Sequence, residues 1–180
     1  VVYMTFRFRE YRYGFAAVVA LFHDVLITLG ALAVASATGL VHIEINLEII
    51  AAFLTIIGYS LNDTIVVFDR IRENLPRRKE GFAEVINISI NQSLSRTILT
   101  SVTTFFVVGV LFFANRQYHN SLEGFSFAML IGIIVGTYSS MFVASPLLVF
   151  FDRWARKRQL ESISDSAKRI DEKKTATPTA

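Results

Sequence analysis

Cysteine is absent from the 180-residue chain. This excludes disulfides and thiolate metal sites, and it leaves the redox compartment unread. There is no G-x-x-x-x-G-K-[ST] loop either, so the chain does not itself use ATP. Charge is scarce. Asp, Glu, Lys and Arg make up 18% of the residues against 53% hydrophobic, and the mean hydropathy is +0.48. The few charges are segregated and the apolar residues stand in long blocks. A soluble domain carries about 45–50% apolar residues with charge interspersed, so this pattern excludes that class. It points to an integral membrane protein in which helix packing replaces a water-driven core. No metal site, cofactor, nucleic-acid partner or enzymatic activity is expected.

What is present reads as an all-α, polytopic transmembrane helix bundle with four complete spans and the end of a preceding one. Residues 1–13 hold that end and a cytosolic loop. Val1 to Phe6 is apolar but too short to span, which suggests the C-terminal part of a longer protein. Phe6 to Tyr13 sets Arg7, Arg9, Glu10 and Arg12 among aromatics, an interfacial arrangement. The transmembrane domain covers residues 14–150, with spans expected at 15–37, 47–68, 93–114 and 122–150. Asp69 to Gly81 is a charged loop punctuated by Pro76 and Gly81. Residues 82–91 place Phe82, Val85, Ile86 and Ile90 at helical spacing, as in a short amphipathic helix on the cytosolic membrane surface. Pro146 is expected to kink the last turns of the fourth span. Residues 151–180 form a cytosolic tail, basic at first, then polar and expected to be disordered.

The basic residues set the orientation. All but Arg96 and Arg116 of the 18 Lys and Arg lie in the Arg7–Arg12 loop, the Arg70–Lys79 loop and the tail. The positive-inside rule then puts the termini and the central loop in the cytosol.

Polar residues inside the spans are the candidates for function. Asp63, with Asn62 beside it, lies near the cytosolic end of the second span. A carboxylate at a helix centre costs about 2.5–3.5 kcal/mol on insertion scales, so it marks a functional site by default. Thr55, Tyr59, Asn62 and Asp63 fall on one helix face. Arg96, at the start of the third span, is the nearest cation of comparable placement, and Thr100, Thr103 and Thr104 share its face. Desolvation favours the protonated form of a carboxyl and a nearby guanidinium favours the ionised form. Asp63 and Arg96 therefore read as a proton-handling pair, the alternatives being a permanent, register-fixing ion pair or an Arg96 that simply snorkels to the cytosolic headgroups. The hydroxyls after Arg96 line a hydrated path or stabilise helix contacts. In the first span, Ala16, Ala20, Asp24 and Thr28 form a small and polar stripe. His23 and Asp24 read as a solvated interfacial site, with a second titrating pair or a partner-facing polar contact as the alternatives. In the fourth span Gly124, Ala128, Gly132, Gly136, Ser140 and Ala144 make a small-residue ridge that requires a close helix neighbour. An intramembrane aspartyl protease is disfavoured, because Asn62 and not glycine precedes Asp63.

The run Gly58-Tyr59-Ser60-Leu61-Asn62-Asp63-Thr64-Ile65-Val66-Val67-Phe68-Asp69-Arg70-Ile71-Arg72-Glu73-Asn74 resembles the signature of the SecF family of bacterial protein-export membrane proteins. So do Phe8-Arg9-Glu10, Ala20-Leu21-Phe22-His23-Asp24-Val25 with Gly30, Arg96-Thr97-Ile98-Leu99-Thr100-Ser101 with Thr103-Thr104, and Leu122-Glu123-Gly124-Phe125-Ser126. The resemblance covers residues 6–147. It implies a fold of the resistance–nodulation–division transporter type with six spans, of which this chain has the end of the second and all of the last four. It implies SecD and the SecYEG channel as partners, a translocating preprotein as cargo, and the bacterial cytoplasmic membrane as location. Protons serve as the coupling ion, with Asp63 and Arg96 at the positions tied to proton transport. A purely structural subunit and a proton-coupled small-molecule exporter remain the alternatives.

Overall fold

The computed structural model describes residues 11–41, 43–77, 81–118, 120–155, 157–158 and 160–161. The apolar start at Val1–Phe6, the cations Arg7 and Arg9, and the tail from residue 162 lie outside the described residues. Among the described residues there is no strand.

The described residues contain four long helices: α1 (Tyr11–Ala37), α2 (Leu47–Asn74), α3 (Phe82–Asn115) and α4 (Ser121–Ser139). After α4 comes one wide π turn, Ser140–Ala144, and the helix then resumes to Ala155. All four helices are long and apolar enough to cross a membrane. Local chemistry sets their ends. Gly39, at φ 67°, closes α1, with Gly39 N–H donating to Ser36 O and Leu40 N–H to Ala35 O. This is the paired C-terminal bonding that a left-handed glycine permits. Asn46 caps α2, its side-chain oxygen accepting from Ile49 N–H at 3.1 Å.

The helices run further than the hydropathy blocks. α1 begins before residue 15 because Tyr13 is buried edge-on against Phe68, with ring centroids 5.3 Å apart. α2 does not stop at residue 68. Arg70, Arg72 and Glu73 are helical, Glu73 pairs with Arg70 and Arg77 at 2.9 and 2.8 Å, and Asn74 bonds Ser89 and Gln92 on α3. Such i,i+3 and i,i+4 pairs support a helix through a charged stretch. Only a 3-10 turn, Leu75–Arg77, and a few residues remain of the expected loop. Residues 82–91 are not a separate surface helix. They are the first turns of α3, and Val85, Ile86 and Ser89 are buried against the bundle. At 1.5 Å per residue α3 is about 51 Å long, more than the ~30 Å hydrocarbon thickness, so it projects beyond it. The disturbance expected at Pro146 lies one turn earlier, as the π turn. Proline lacks an N–H and crowds the carbonyl four residues before it, and a widened turn relieves both.

α4 is the central helix. It packs on all three others, most extensively on α2, whereas α1 and α3 scarcely touch. The small-residue ridge explains this, since all six of its residues are buried. A Cβ on Gly132 would stand 2.4 Å from Ile56 Cγ1, and one on Gly136 would stand 3.1 Å from Ser60 Cβ. The close neighbour that the ridge requires is therefore α2. Two larger apolar clusters fill the bundle, with a small third one of Ala35, Val41 and Phe112. One gathers Ala16, Ala17, Ala20, Val67, Phe68, Ile71 and Leu148 toward the central-loop end. The other gathers Leu32, Ala52, Ile56, Val108, Met129 and Ile133 toward the opposite end. Between them lies a belt of buried polar residues, among them Asp24, Ser60, Asp63, Thr64, Thr97, Ser139 and Ser140.

Candidate functional site

The belt has two parts. The first joins α1 to α2. The stripe Ala16, Ala20, Asp24 and Thr28 is fully inward, each residue at 1% exposure or less. Asp24 accepts a hydrogen bond from Ser60 Oγ at 2.5 Å, and its other oxygen is 3.1 Å from His23 Nδ1. This corrects the expectation of a solvated interfacial site. Asp24 is buried against α2, and only His23 reaches partly outward, with 31% of its side chain exposed. The reason is depth. Asp24 lies about 20 Å along the helix from Tyr11, well inside the bundle.

The second part centres on Asp63 of α2. Asp63 is buried at 4% exposure, and among the described residues its Oδ2 has no hydrogen-bond partner. Tyr59, one turn earlier, donates to Ser101 Oγ on α3 at 3.2 Å. Ser101 in turn meets Thr137 Oγ1 on α4 at 2.7 Å, and Thr137 donates to Ile133 O. Asp63 thus sits just beyond a hydroxyl chain that ties three helices together.

Arg96 does not close this site by contact. Among the described residues it forms no ion pair with Asp63, and it lies on the exposed side of α3. It is near enough for its charge to act on Asp63. The permanent ion pair is therefore not the arrangement adopted here.

Other expected residues fall away from the site. Asn62 and Thr55 are exposed, so the polar face of α2 narrows to Tyr59 and Asp63. Thr100 and Thr103 are exposed and Thr104 is half-buried. All three hydroxyls donate to carbonyls of their own helix. The inward hydroxyls of α3 are instead Ser89, Ser93, Thr97 and Ser101, a four-residue stripe that its burial identifies. Ser60, Thr97, Ser101, Thr137 and Ser139 thus enter the site although none was a leading candidate in the sequence. Their one signal is i,i+3 spacing relative to residues already chosen: Ser60 to Asp63, Thr97 to Thr100, Ser101 to Thr104, Ser139 to Gly136 and Thr137 to Ser140. The described residues hold no group of three or more His, Asp and Glu fit to bind a metal ion.

The helices, the small-residue ridge and the relatives below define a multi-pass helical membrane protein. The family model for the C-terminal part of the protein export membrane proteins SecD and SecF matches residues 1–154, and the chain belongs to that family. It is 57% identical over 149 residues to protein translocase subunit SecF of Rhodothermus marinus, an alignment covering 82% of this chain and 47% of that protein. It is 48% identical over 174 residues to SecF of Koribacter versatilis, covering 96% of this chain and 41% of that one. The chain therefore spans less than half the length of these relatives. Among solved structures, SecDF in its super-membrane-facing form matches with TM-score 0.74 and 43% identity, over 91% of this chain and 21% of that one. SecDF from Thermus, a translocon-associated membrane protein, matches with TM-score 0.74 and 44% identity, over 84% and 20%.

Proposed function

We propose that this chain is the proton-handling membrane part of a SecF-type subunit, which with SecD uses the proton-motive force to promote protein translocation through the SecYEG channel. The relatives support the export role, since they are named protein translocase subunits and the SecDF structures join the two partners' names in one protein. The observation that carries the proton reading is Asp63: a buried carboxylate with an oxygen unpartnered among the described residues, under the influence of a cation it does not touch. Two packings that differ in how near Arg96 stands to Asp63 differ in proton affinity, and such a difference is what coupling requires. Each proton that crosses releases about 2.3 kcal/mol per 100 mV. The subunit moves protons and changes shape without covalent chemistry. It sits in the bacterial cytoplasmic membrane with the termini of this segment and the central loop in the cytosol, as the basic residues direct.

The test uses Asp63→Asn in the full-length subunit, assembled with SecD in vesicles carrying SecYEG. The complex is expected to assemble, while proton flux and the proton-driven gain in preprotein translocation are lost. Normal proton-driven translocation by this variant would sink the proposal and favour a purely structural subunit.

A further inference from the structure

A cleft of about 350 Å³ lies between the first turns of α3 and the helix that resumes after the π turn. Ala83, Asn87 and Ile90 line one wall at i, i+4 and i+7. Pro146, Phe150 and Arg153 line the other at the same spacing. Such spacing keeps each trio on one helix face, so each helix presents a continuous wall. α3 starts and the resumed helix ends on the side of the central loop, so the two walls run antiparallel. Each wall is roughly 10 Å long at 1.5 Å per residue. The cleft is graded in polarity. Ile90 and Pro146 stand at its inner end, and Arg153 stands at its outer end. Among the described residues, Asn87 and Arg153 are its polar lining side chains, and no acid lines it. The acids nearest in sequence are Glu84, which is exposed but does not line the cleft, and Asp152, which is buried.

We propose that this cleft binds one anionic phospholipid of the leaflet on the central-loop side. Arg153 and Asn87 hold its phosphate, and the start of an acyl chain lies against Ile90, Pro146 and Phe150. The inference is independent of the proton reading of Asp63. A mostly apolar cleft with a few polar groups that fix orientation is the usual form of a small-ligand site. The place of the cleft in the bilayer selects the ligand. Pro146 to Phe150 ends the last apolar run, and Arg153, Trp154, Lys157 and Arg158 follow it, so the cleft crosses from hydrocarbon to headgroups. Trp154 carries the Arg158 guanidinium over its ring at 3.8 Å, an arrangement suited to that boundary. Arg153 is exposed and, among the described residues, forms no ion pair. Its guanidinium is free to take two phosphate oxygens, and the Asn87 amide donates to a third. Lys157, also exposed, lies one turn beyond Arg153 on the same face and adds to the positive field. Basic pockets between membrane helices attract anionic headgroups in this way. A partner helix is the poorer occupant. With side chains a helix is about 10–12 Å across, and walls of roughly 10 Å would meet it over about two turns.

The experiment is photo-cross-linking on the full-length subunit with SecD in phosphatidylcholine vesicles. The probes are phosphatidylglycerol and phosphatidylcholine that carry the same photoactivatable group on an acyl chain, each added as a small fraction of the lipid. The expected result is labelling of residues 83–90 and 146–153, about fivefold stronger with the phosphatidylglycerol probe. Arg153→Gln abolishes that preference, and Arg153→Lys retains most of it. Ala83→Trp fills the mouth of the cleft and lowers labelling by both probes. Arg153→Gln changes an exposed side chain, so it carries the test even if Ala83→Trp does not fold. Equal labelling by the two probes overturns the proposal, since the cleft then takes acyl chains without reading the headgroup. So does a preference that survives Arg153→Gln. A third outcome also overturns it: no lipid label in the cleft, with p-benzoylphenylalanine in place of Phe150 cross-linking to SecD, which makes the cleft a seat for a partner helix.

Discussion

Asp24 and Asp63 are two carboxylates buried in the same polar belt, and their surroundings are opposite. Asp24 is held on both oxygens, by Ser60 from α2 and by His23 from its own helix. Asp63 has a bare oxygen and only a cation at a distance. A carboxylate that is fully bonded has little to gain from a change of state and serves to join α1 to α2. One left short of partners is ready to change its proton, its neighbours or both. Burial alone does not mark a functional acid inside a membrane protein, because the unmet bonding around it is what separates the two sites.

The contrast is open to direct attack. The largest effect is expected from Gly136→Leu, since a Cβ there already stands 3.1 Å from Ser60 Cβ. The bulk pushes α2 off α4, displaces the donor of Asp24 and shifts Asp63 together with it. A loss of about 1–3 kcal/mol or more is expected from overpacking of this kind, read as a lower midpoint in denaturant unfolding from detergent. Next comes Asp24→Ala, which leaves the Ser60 hydroxyl buried without its acceptor and lowers stability by about 1–2 kcal/mol in the same assay. Asp63→Asn is expected to leave that midpoint unchanged or slightly raised, because no bond is lost and a buried charge is removed. If Asp63→Asn destabilises as much as Asp24→Ala, the two sites do not differ as described. The smallest effect on stability belongs to Arg96→Gln, within about 0.5 kcal/mol for an exposed side chain. Its proton flux is nevertheless expected to fall, and unaltered flux would remove Arg96 from the site.

Much of the bundle was legible in the sequence, and the failures have a common cause. The stripe of Ala16, Ala20, Asp24 and Thr28 and the ridge from Gly124 to Ala144 were readable because small residues permit close approach and large ones do not. Asp63 was readable because charge in hydrocarbon is expensive. The rotation of α3 was not. Ser and Thr occur around its first half, and lipid and helix interior are both apolar, so no hydrophobic contrast distinguishes the Thr97–Ser101 side from the Thr100–Thr104 side. Arg96 drew attention to its own face, which turns outward. Helix ends were misplaced for another reason. Leaving the hydrocarbon does not end a helix, and the Glu73 ion pairs carry α2 past its apolar run.

The fit of Gly132 on Ile56 and Gly136 on Ser60 behaves like a key in a shaft. Side chains at a four-residue repeat engage glycines at the same repeat, so α2 and α4 resist sliding by anything less than a whole step of about 6 Å. They turn or translate as one piece. α1 and α3 scarcely touch each other, so what couples them runs through this axle, by Asp24–Ser60 on one side and Tyr59–Ser101–Thr137 on the other.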